Sequence, residues 1–284
     1  MRLIGLANGV KLGVCLLAAV HCSGAMAAGS GRAAVTSTAG VGGTPGDDDR
    51  SALEIGLEAI LAKDYATAYR LVRNAAEQGE PQAQAALGAM YLAGQGVAAD
   101  DAEALRWYRR AAEQGNAEAQ ASLGLMYTQG RGVPRDDGAA LKWFRLAADN
   151  EDPTAQSGLG LMYLEGRGVE KNENEAVNWL QMAALKGEPM AQYNLAILYL
   201  DGRGVGQDDA EAAQWFLSAA EQGNALAQYH LGVSYAEGRG VGQDREEALK
   251  WLTSAAEQGL SLAKDYLRVS KNATVEPEDP ARRN

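Results

Sequence analysis

Reactive side chains are scarce in this 284-residue chain, and they do not gather. Cys15, Cys22 and His21 all fall within the first 27 residues, which leaves His230 as the single imidazole beyond them. One histidine without a cysteine cannot supply the ligands of a zinc site. His230 precedes Ser234 by about one helical turn, but a nucleophilic pair also needs an orienting acid and an oxyanion hole, and the sequence places neither beside it. By register, His230 is expected to be a hydrogen-bonded packing residue next to Asn194. Ser261-Leu262-Ala263-Lys264 has the S-x-x-K form of penicillin-recognising serine enzymes without the S-D-N and K-T-G companions. Asn272-Ala273-Thr274 is a glycosylation sequon by pattern only. Five G-x-G-V loops lack the lysine of a phosphate-binding loop and a preceding strand, so they read as helix connectors. The expectation is a protein with no catalytic residue, no metal and no cofactor.

With 46% apolar and 22% charged residues the composition is that of an ordinary globular protein. Its 37 acidic against 26 basic residues give a formal charge of −11, which opposes binding to nucleic acid or anionic lipid. Arg2 and Lys11 precede an apolar run from Leu12 to Val20, and Ala25-Met26-Ala27 has the small-residue pattern of a signal-peptidase site. Residues 1–27 are therefore expected to be a signal peptide cleaved after Ala27, and the mature chain to be periplasmic or secreted. The run is about half the roughly 20 residues that span a bilayer, so no membrane insertion is expected after cleavage. Val14 and His21 stand before the cysteines where a bacterial lipobox needs a small residue. Cleavage removes Arg2 and Lys11 and no acid, leaving 24 basic against 37 acidic residues, a formal −13, and no cysteine for a disulfide.

The elements that would carry any site follow one ruler. Trp107, Trp143, Trp179, Trp215 and Trp251 are 36 residues apart, the mark of a solenoid. Gly94-Gln95-Gly96-Val97 recurs at 130, 166, 202 and 238 with arginine in its second place, Tyr91 recurs at 127, 163, 199 and 235, and Ala111-Ala112 recurs at the same period. Ala83, Ala86, Leu87, Met90 and Tyr91 fall on one stripe of a helix A. Gly94 ends it, Asp100 caps a helix B carrying Ala104, Leu105, Trp107, Tyr108, Ala111 and Ala112, and Gly115 ends that. Spacing of one tryptophan per hairpin points to a core residue, with Leu87-Gly88 and the alanines as the small residues that make room for it.

This pattern, A-x-x-x-L-G-x-x-Y-x-x-G-x-G-V followed by D, A-x-x-W and A-A-x-x-G, resembles the Sel1-like repeat family, a relative of tetratricopeptide repeats. Ala196 replaces a glycine of the pattern, Glu151 the glycine after helix B, and Asn172 the capping aspartate. The resemblance implies an all-α fold, a right-handed α/α superhelical solenoid of helix-turn-helix repeats. Residues 51–80, with Leu71 at the tryptophan register, read as a degenerate first repeat, 81–259 as five full repeats and 260–270 as a capping helix. Residues 28–50 read as a flexible linker and 271–284 as a disordered tail.

The resemblance also implies an exported, non-catalytic interaction scaffold or adaptor in the bacterial cell envelope, binding a protein partner on the concave face lined by the A helices. The groove positions of the later repeats are Leu161, Leu164, Met190, Tyr193, Ile197, Leu200, Leu226, Tyr229 and Val233, rimmed by Asp201 and Glu237, with Tyr193 and Tyr229 as aromatic anchors. Packing between adjacent A helices is the other reading of the same stripe. Arg131, Arg167, Arg203 and Arg239 read as solvated side chains answering Glu165, Asp201 and Glu237. The alternative function is a β-lactam-binding or cell-wall hydrolase of the kind assigned to cysteine-rich relatives, whose hairpin disulfides this chain lacks.

Overall fold

Capping chemistry sets the length of each element. In the computed structural model, which describes residues 51–273, every regular element is a helix. They are α1 (Ala52–Leu61), α2 (Tyr65–Glu77), α3 (Pro81–Ala93), α4 (Asp101–Glu113), α5 (Ala117–Gln129), α6 (Asp137–Asp149) and α7 (Pro153–Glu165). Then follow α8 (Glu173–Leu185), α9 (Pro189–Asp201), α10 (Asp209–Glu221), α11 (Ala225–Glu237), α12 (Arg245–Glu257) and α13 (Ser261–Ala273). Odd-numbered helices are A helices and even-numbered ones B helices. The expected signal peptide and linker lie outside the described residues, as do residues 274–284 of the expected tail; α13 runs to Ala273, inside that tail.

Each B helix opens on an acid or amide whose side chain accepts from first-turn amides, as Asp100 does from Ala102 and Glu103 at 2.9 and 3.0 Å. The A helices α3, α5, α7, α9 and α11 each close on a left-handed glycine, Gly130 (φ 69°) being typical. The second glycine of the loop has a separate reason: a Cβ on Gly132 would run into the carbonyl of Asp101, at the start of the preceding B helix. The loop is thus seated on the repeat before it. Glu151 holds the positive φ (61°) that Gly115, Gly187 and Gly223 hold elsewhere. Lys186 Nζ donates to its carbonyl and carboxylate at 2.7 and 2.9 Å.

The described residues form an all-α solenoid that falls into two compact units, 51–150 and 151–273. In both, the large B-helix side chain that is fully buried is the one after the tryptophan register. Tyr108 and Phe144 in the first unit, and Leu180, Phe216 and Leu252 in the second, are 2% exposed or less. Trp107 is just buried, and Trp143, Trp179, Trp215 and Trp251 are half-buried. The small residue of helix A makes room for this deeper side chain rather than for tryptophan. A Cβ on Gly124 would lie 2.5 Å from Phe144, and one on Gly160 2.6 Å from Leu180. Ala196 shares a core cluster with Phe216. The first hairpin keeps the same device on a shorter loop, Gly56 facing Val72 at 2.9 Å.

Two sets of polar contacts tie successive hairpins together. Arg131 Nε and Nη2 donate to Asp101 at 3.1 and 2.5 Å, and Arg203 makes the matching pair with Glu173 at 3.1 and 2.7 Å. These two arginines reach back 30 residues instead of answering neighbouring acids; Arg167 and Arg239 do pair with Glu165 and Glu237, as the sequence suggested. The second set is made of buried glutamines. Gln192 Nε2 donates to the Ala184 carbonyl at 3.1 Å while its Oε1 accepts from Gln222 at 2.8 Å, and Gln228 does the same with Ala220 and Gln258. Gln84 and Gln114 form the equivalent relay in the first unit. These exposed B-helix ends are recorded in the sequence as recurring Glu-Gln-Gly triplets, which the pattern of apolar residues gave no reason to notice.

Candidate functional site

The apolar stripe runs along α7, α9 and α11, all in the second unit. Its positions divide by exposure. Leu161, Leu164, Tyr193 and Ile197 are buried, whereas Met190, Leu200, Leu226, Tyr229 and Val233 are half-buried. Tyr193 and Ile197 belong to a cluster with Phe216, Ala219, Ala227 and Leu231, so they face the next hairpin as core residues. The same registers in the first unit, Ala85 and Ala89, share a cluster with Tyr108 of their own hairpin and Leu123 of the following one. Burial, followed by the Asp201 charge, pushes the Tyr193 hydroxyl up to about 12, consistent with a phenol that stays neutral inside the protein.

Aromatic rings gather where the stripe reaches α11. His230 stacks on Phe216, ring centroids 5.0 Å apart at 14°, and packs near Tyr193 at 5.9 Å and edge-on to Tyr229 at 5.2 Å. Tyr229 in turn meets Tyr266 of α13 edge to face at 6.4 Å. The hydrogen bond to Asn194 expected from register is replaced by this stacking, because Phe216 offers the imidazole a parallel face; both amide atoms of buried Asn194 lack a hydrogen-bond partner. Burial, and next Arg239, lowers the His230 pKa to about 4, so the ring is neutral at physiological pH. Asp201 and Glu237 flank the stripe as exposed acids, Glu237 pairing with Arg239.

At the other end of the A helices the caps carry charge into the interior. Glu188 caps α9 by accepting from Ala191 and contacts Ser157, and burial raises its pKa, with Asp152 adding repulsion. Asp152, the cap of α7, accepts from Ala155 at 2.8 Å and is raised by burial as well. Asn116 and Asn224 fill this register with neutral amides.

Ser261 and Lys264 are both exposed on the first turn of α13. Among the described residues no group of three His, Cys, Asp or Glu side chains is placed to hold a metal, and no helix is long and apolar enough to cross a membrane. The sequence reading missed α13 as part of the stripe: Leu262 and Val269 stand one period after Leu226 and Val233 and are exposed. The 36-residue ruler, carried past the last tryptophan, would have found them.

The hairpin with its seated double-glycine loop is the decisive feature, and the sequence matches the Sel1 repeat family over residues 42–80, 81–116, 117–152, 153–188, 189–224 and 225–260. The chain belongs to the Sel1 repeat family. Its first Sel1 repeat, 42–80, contains the shortened hairpin of α1 and α2. Among solved structures the chain is similar to a Sel1 repeat protein from Oxalobacter formigenes, with 38% identity and a TM-score of 0.68 over 76% of this chain and 64% of that one. It is also similar to a protective antigen of uropathogenic Escherichia coli displaying an SLR fold, with 36% identity and a TM-score of 0.66 over 81% of this chain and 50% of that one. This chain thus spans half to two thirds of the length of these relatives. A Sel1 repeat protein from Klebsiella pneumoniae, 22% identical with a TM-score of 0.50 over 70% of this chain and 97% of that one, shares the fold. Comparison with curated proteins finds no match. Sel1 repeat proteins in general are protein-interaction scaffolds, typically without catalysis.

Proposed function

We propose that this chain is an exported, non-catalytic adaptor of the bacterial cell envelope that holds a segment of a partner protein on the A-helix face of residues 151–273. The observation that carries this reading is the half-exposed apolar patch of Leu226, Tyr229 and Val233, edged by Met190 and Leu200 and flanked by Asp201 and Glu237. An amphipathic segment with apolar anchors and basic flanks matches that face in both shape and charge. Tyr193 and Ile197 support the patch from below without touching the partner. The signal-like residues 1–27 favour delivery to the periplasm or beyond.

A photocrosslinking residue at position 229, in cells carrying the full chain, tests the proposal. It is expected to capture a discrete protein partner, and Tyr229→Ala with Val233→Ser is expected to abolish that capture in a companion assay while the far-UV circular dichroism stays unchanged. Capture that survives the double substitution overturns the site. A retained N-terminus, or a cytoplasmic location on fractionation, overturns the exported role.

A further inference from the structure

In a stack of hairpins, each repeat offers one face to the repeat before it and another to the repeat after it, and the two end hairpins keep one of these faces uncovered. The uncovered faces can be read by register. Leu105, Leu141, Val177 and Ala213 are buried, but Leu249, at the same register in α12, is 53% exposed. Ala89, Leu125, Leu161 and Ile197 are likewise buried, whereas Val269 of α13 is 63% exposed. The helix expected to cap the stack therefore extends the open face instead of closing it. Its basic side chains on this side are Lys264 and Arg268, both exposed, with Asp265 paired to Arg268 at 2.9 Å. Arg268 stands where Gly232 stands one period earlier.

The opposite face lies on α1. The residue before the small seat glycine is buried in Leu87, Leu123, Leu195 and Leu231, yet Ile55, before Gly56, is 40% exposed. Two residues after the seat come the buried Met90, Met126, Met162 and Leu198, and here Glu58 stands exposed. Two residues before it stands Glu54, also exposed. The first face is thus apolar with two acids and the last is apolar with two basic groups. Each is a version of a surface that is largely buried at the same registers of the inner hairpins.

We propose that copies of this chain associate head to tail, the α12–α13 face of one copy covering the α1 face of a second. Apolar contact of Leu249 and Val269 with Ile55 supplies the adhesion, and Lys264 and Arg268 opposite Glu54 and Glu58 fix the polarity. A contact of this kind is heterologous, so each copy keeps one face free for the next. It uses residues outside the partner patch and stands or falls separately from it.

Analytical ultracentrifugation of the purified protein and two blocked forms decides the matter. Ile55→Arg spoils the first face; Leu249→Glu with Val269→Glu spoils the last. Wild type is expected to form species that grow with concentration and weaken with salt, and each blocked form to remain monomeric, a loss of about tenfold or more in association constant. An equimolar mixture of the two blocked forms is expected to give one-to-one dimers and nothing larger, because one intact face of each kind remains. All three residues are exposed, so circular-dichroism melts of the variants are expected to match wild type. Wild type that stays monomeric, or self-association that survives either block, overturns the proposal. If removing residues 274–284 turns a monomeric wild type into an associating one, the chain's own C-terminal segment covers the last face, which also overturns it.

Discussion

The two units use one backbone plan with different volumes. In residues 51–150 the A helices turn Ala85 and Ala89 toward the next hairpin, and the bulk of the core comes from Tyr108 and Phe144 on the B helices. In residues 151–273 the A helices contribute large side chains themselves, Tyr193 and Ile197, and rings accumulate around Phe216 and His230. The same unit has half-buried Glu188 and Asp152 at caps where the other has Asn116 and an exposed Glu80. Filling the seam between A helices with aromatic and ionisable groups places the acid-sensitive imidazole in the second unit. In the first unit the shifted carboxylate is Asp64, lowered by its hydrogen bonds with Thr67.

The sharpest way to break this comparison is Phe216→Ala, which removes a ring supporting both Tyr193 and His230. It is expected to cost about 3–5 kcal/mol. Phe144→Ala, in the alanine-rich unit, falls in the same range, while Trp215→Ala and Trp143→Ala, at half-buried positions, cost less than their inward neighbours. Thermal melts with peptide-resolved hydrogen exchange place each loss in its own unit. Equal losses for tryptophan and its neighbour would contradict the assignment of the deeper residue.

Next in size is the acid response. Folded His230 titrates near 4 and an unfolded histidine near 6.5, so between these values the unfolded chain binds the extra proton. The contribution of neutral His230 is whole above pH 6.5, and on the order of 3 kcal/mol of it is lost as pH falls to 4. His230→Phe is expected to flatten denaturant titrations across that window in residues 151–273 and leave exchange in 51–150 unaltered. An undiminished acid slope in the variant would place the sensitivity elsewhere.

A smaller effect of opposite sign belongs to these acidic caps. Burial raises the pKa of Glu188 and Asp152, so the folded state holds their protons more tightly and their ionisation costs stability as pH rises through and above the carboxylate range. Asp152→Asn and Glu188→Gln keep an accepting oxygen for the cap and are expected to raise stability at pH 7 by roughly 1 kcal/mol each, and to do little at pH 4. The smallest change is Arg203→Ala, about 0.5 kcal/mol, matched by Arg131→Ala in the other unit because the two half-exposed pairs share one geometry. A salt titration that erases both differences would confirm their surface character.

Much of the fold was legible because glycine, aspartate and tryptophan act locally. A positive φ, a cap and a period are properties of one chain segment, and the repeat repeated them until chance was excluded. What the sequence concealed depends on neighbours. Tryptophan marks the hairpin, yet the side chain after it points inward, a rotation of about 100° along the helix that composition does not reveal. Tyr193 and Tyr229 share a register and differ in exposure only because one has a full hairpin after it. Arg203 looked like a partner for the acids beside it in sequence; the seated loop turns it instead toward Glu173 of the previous hairpin.

Each large inward residue and the small residue that admits it lie within a single 36-residue period, as Phe216 and Ala196 do within 189–224. A period therefore carries its own fit wherever it is placed. Excising 189–224 would join Glu188 to Ala225 while keeping the pairs Gly160 with Leu180 and Gly232 with Leu252 intact. A gene of this kind can be lengthened or shortened in whole cassettes without redesigning what remains.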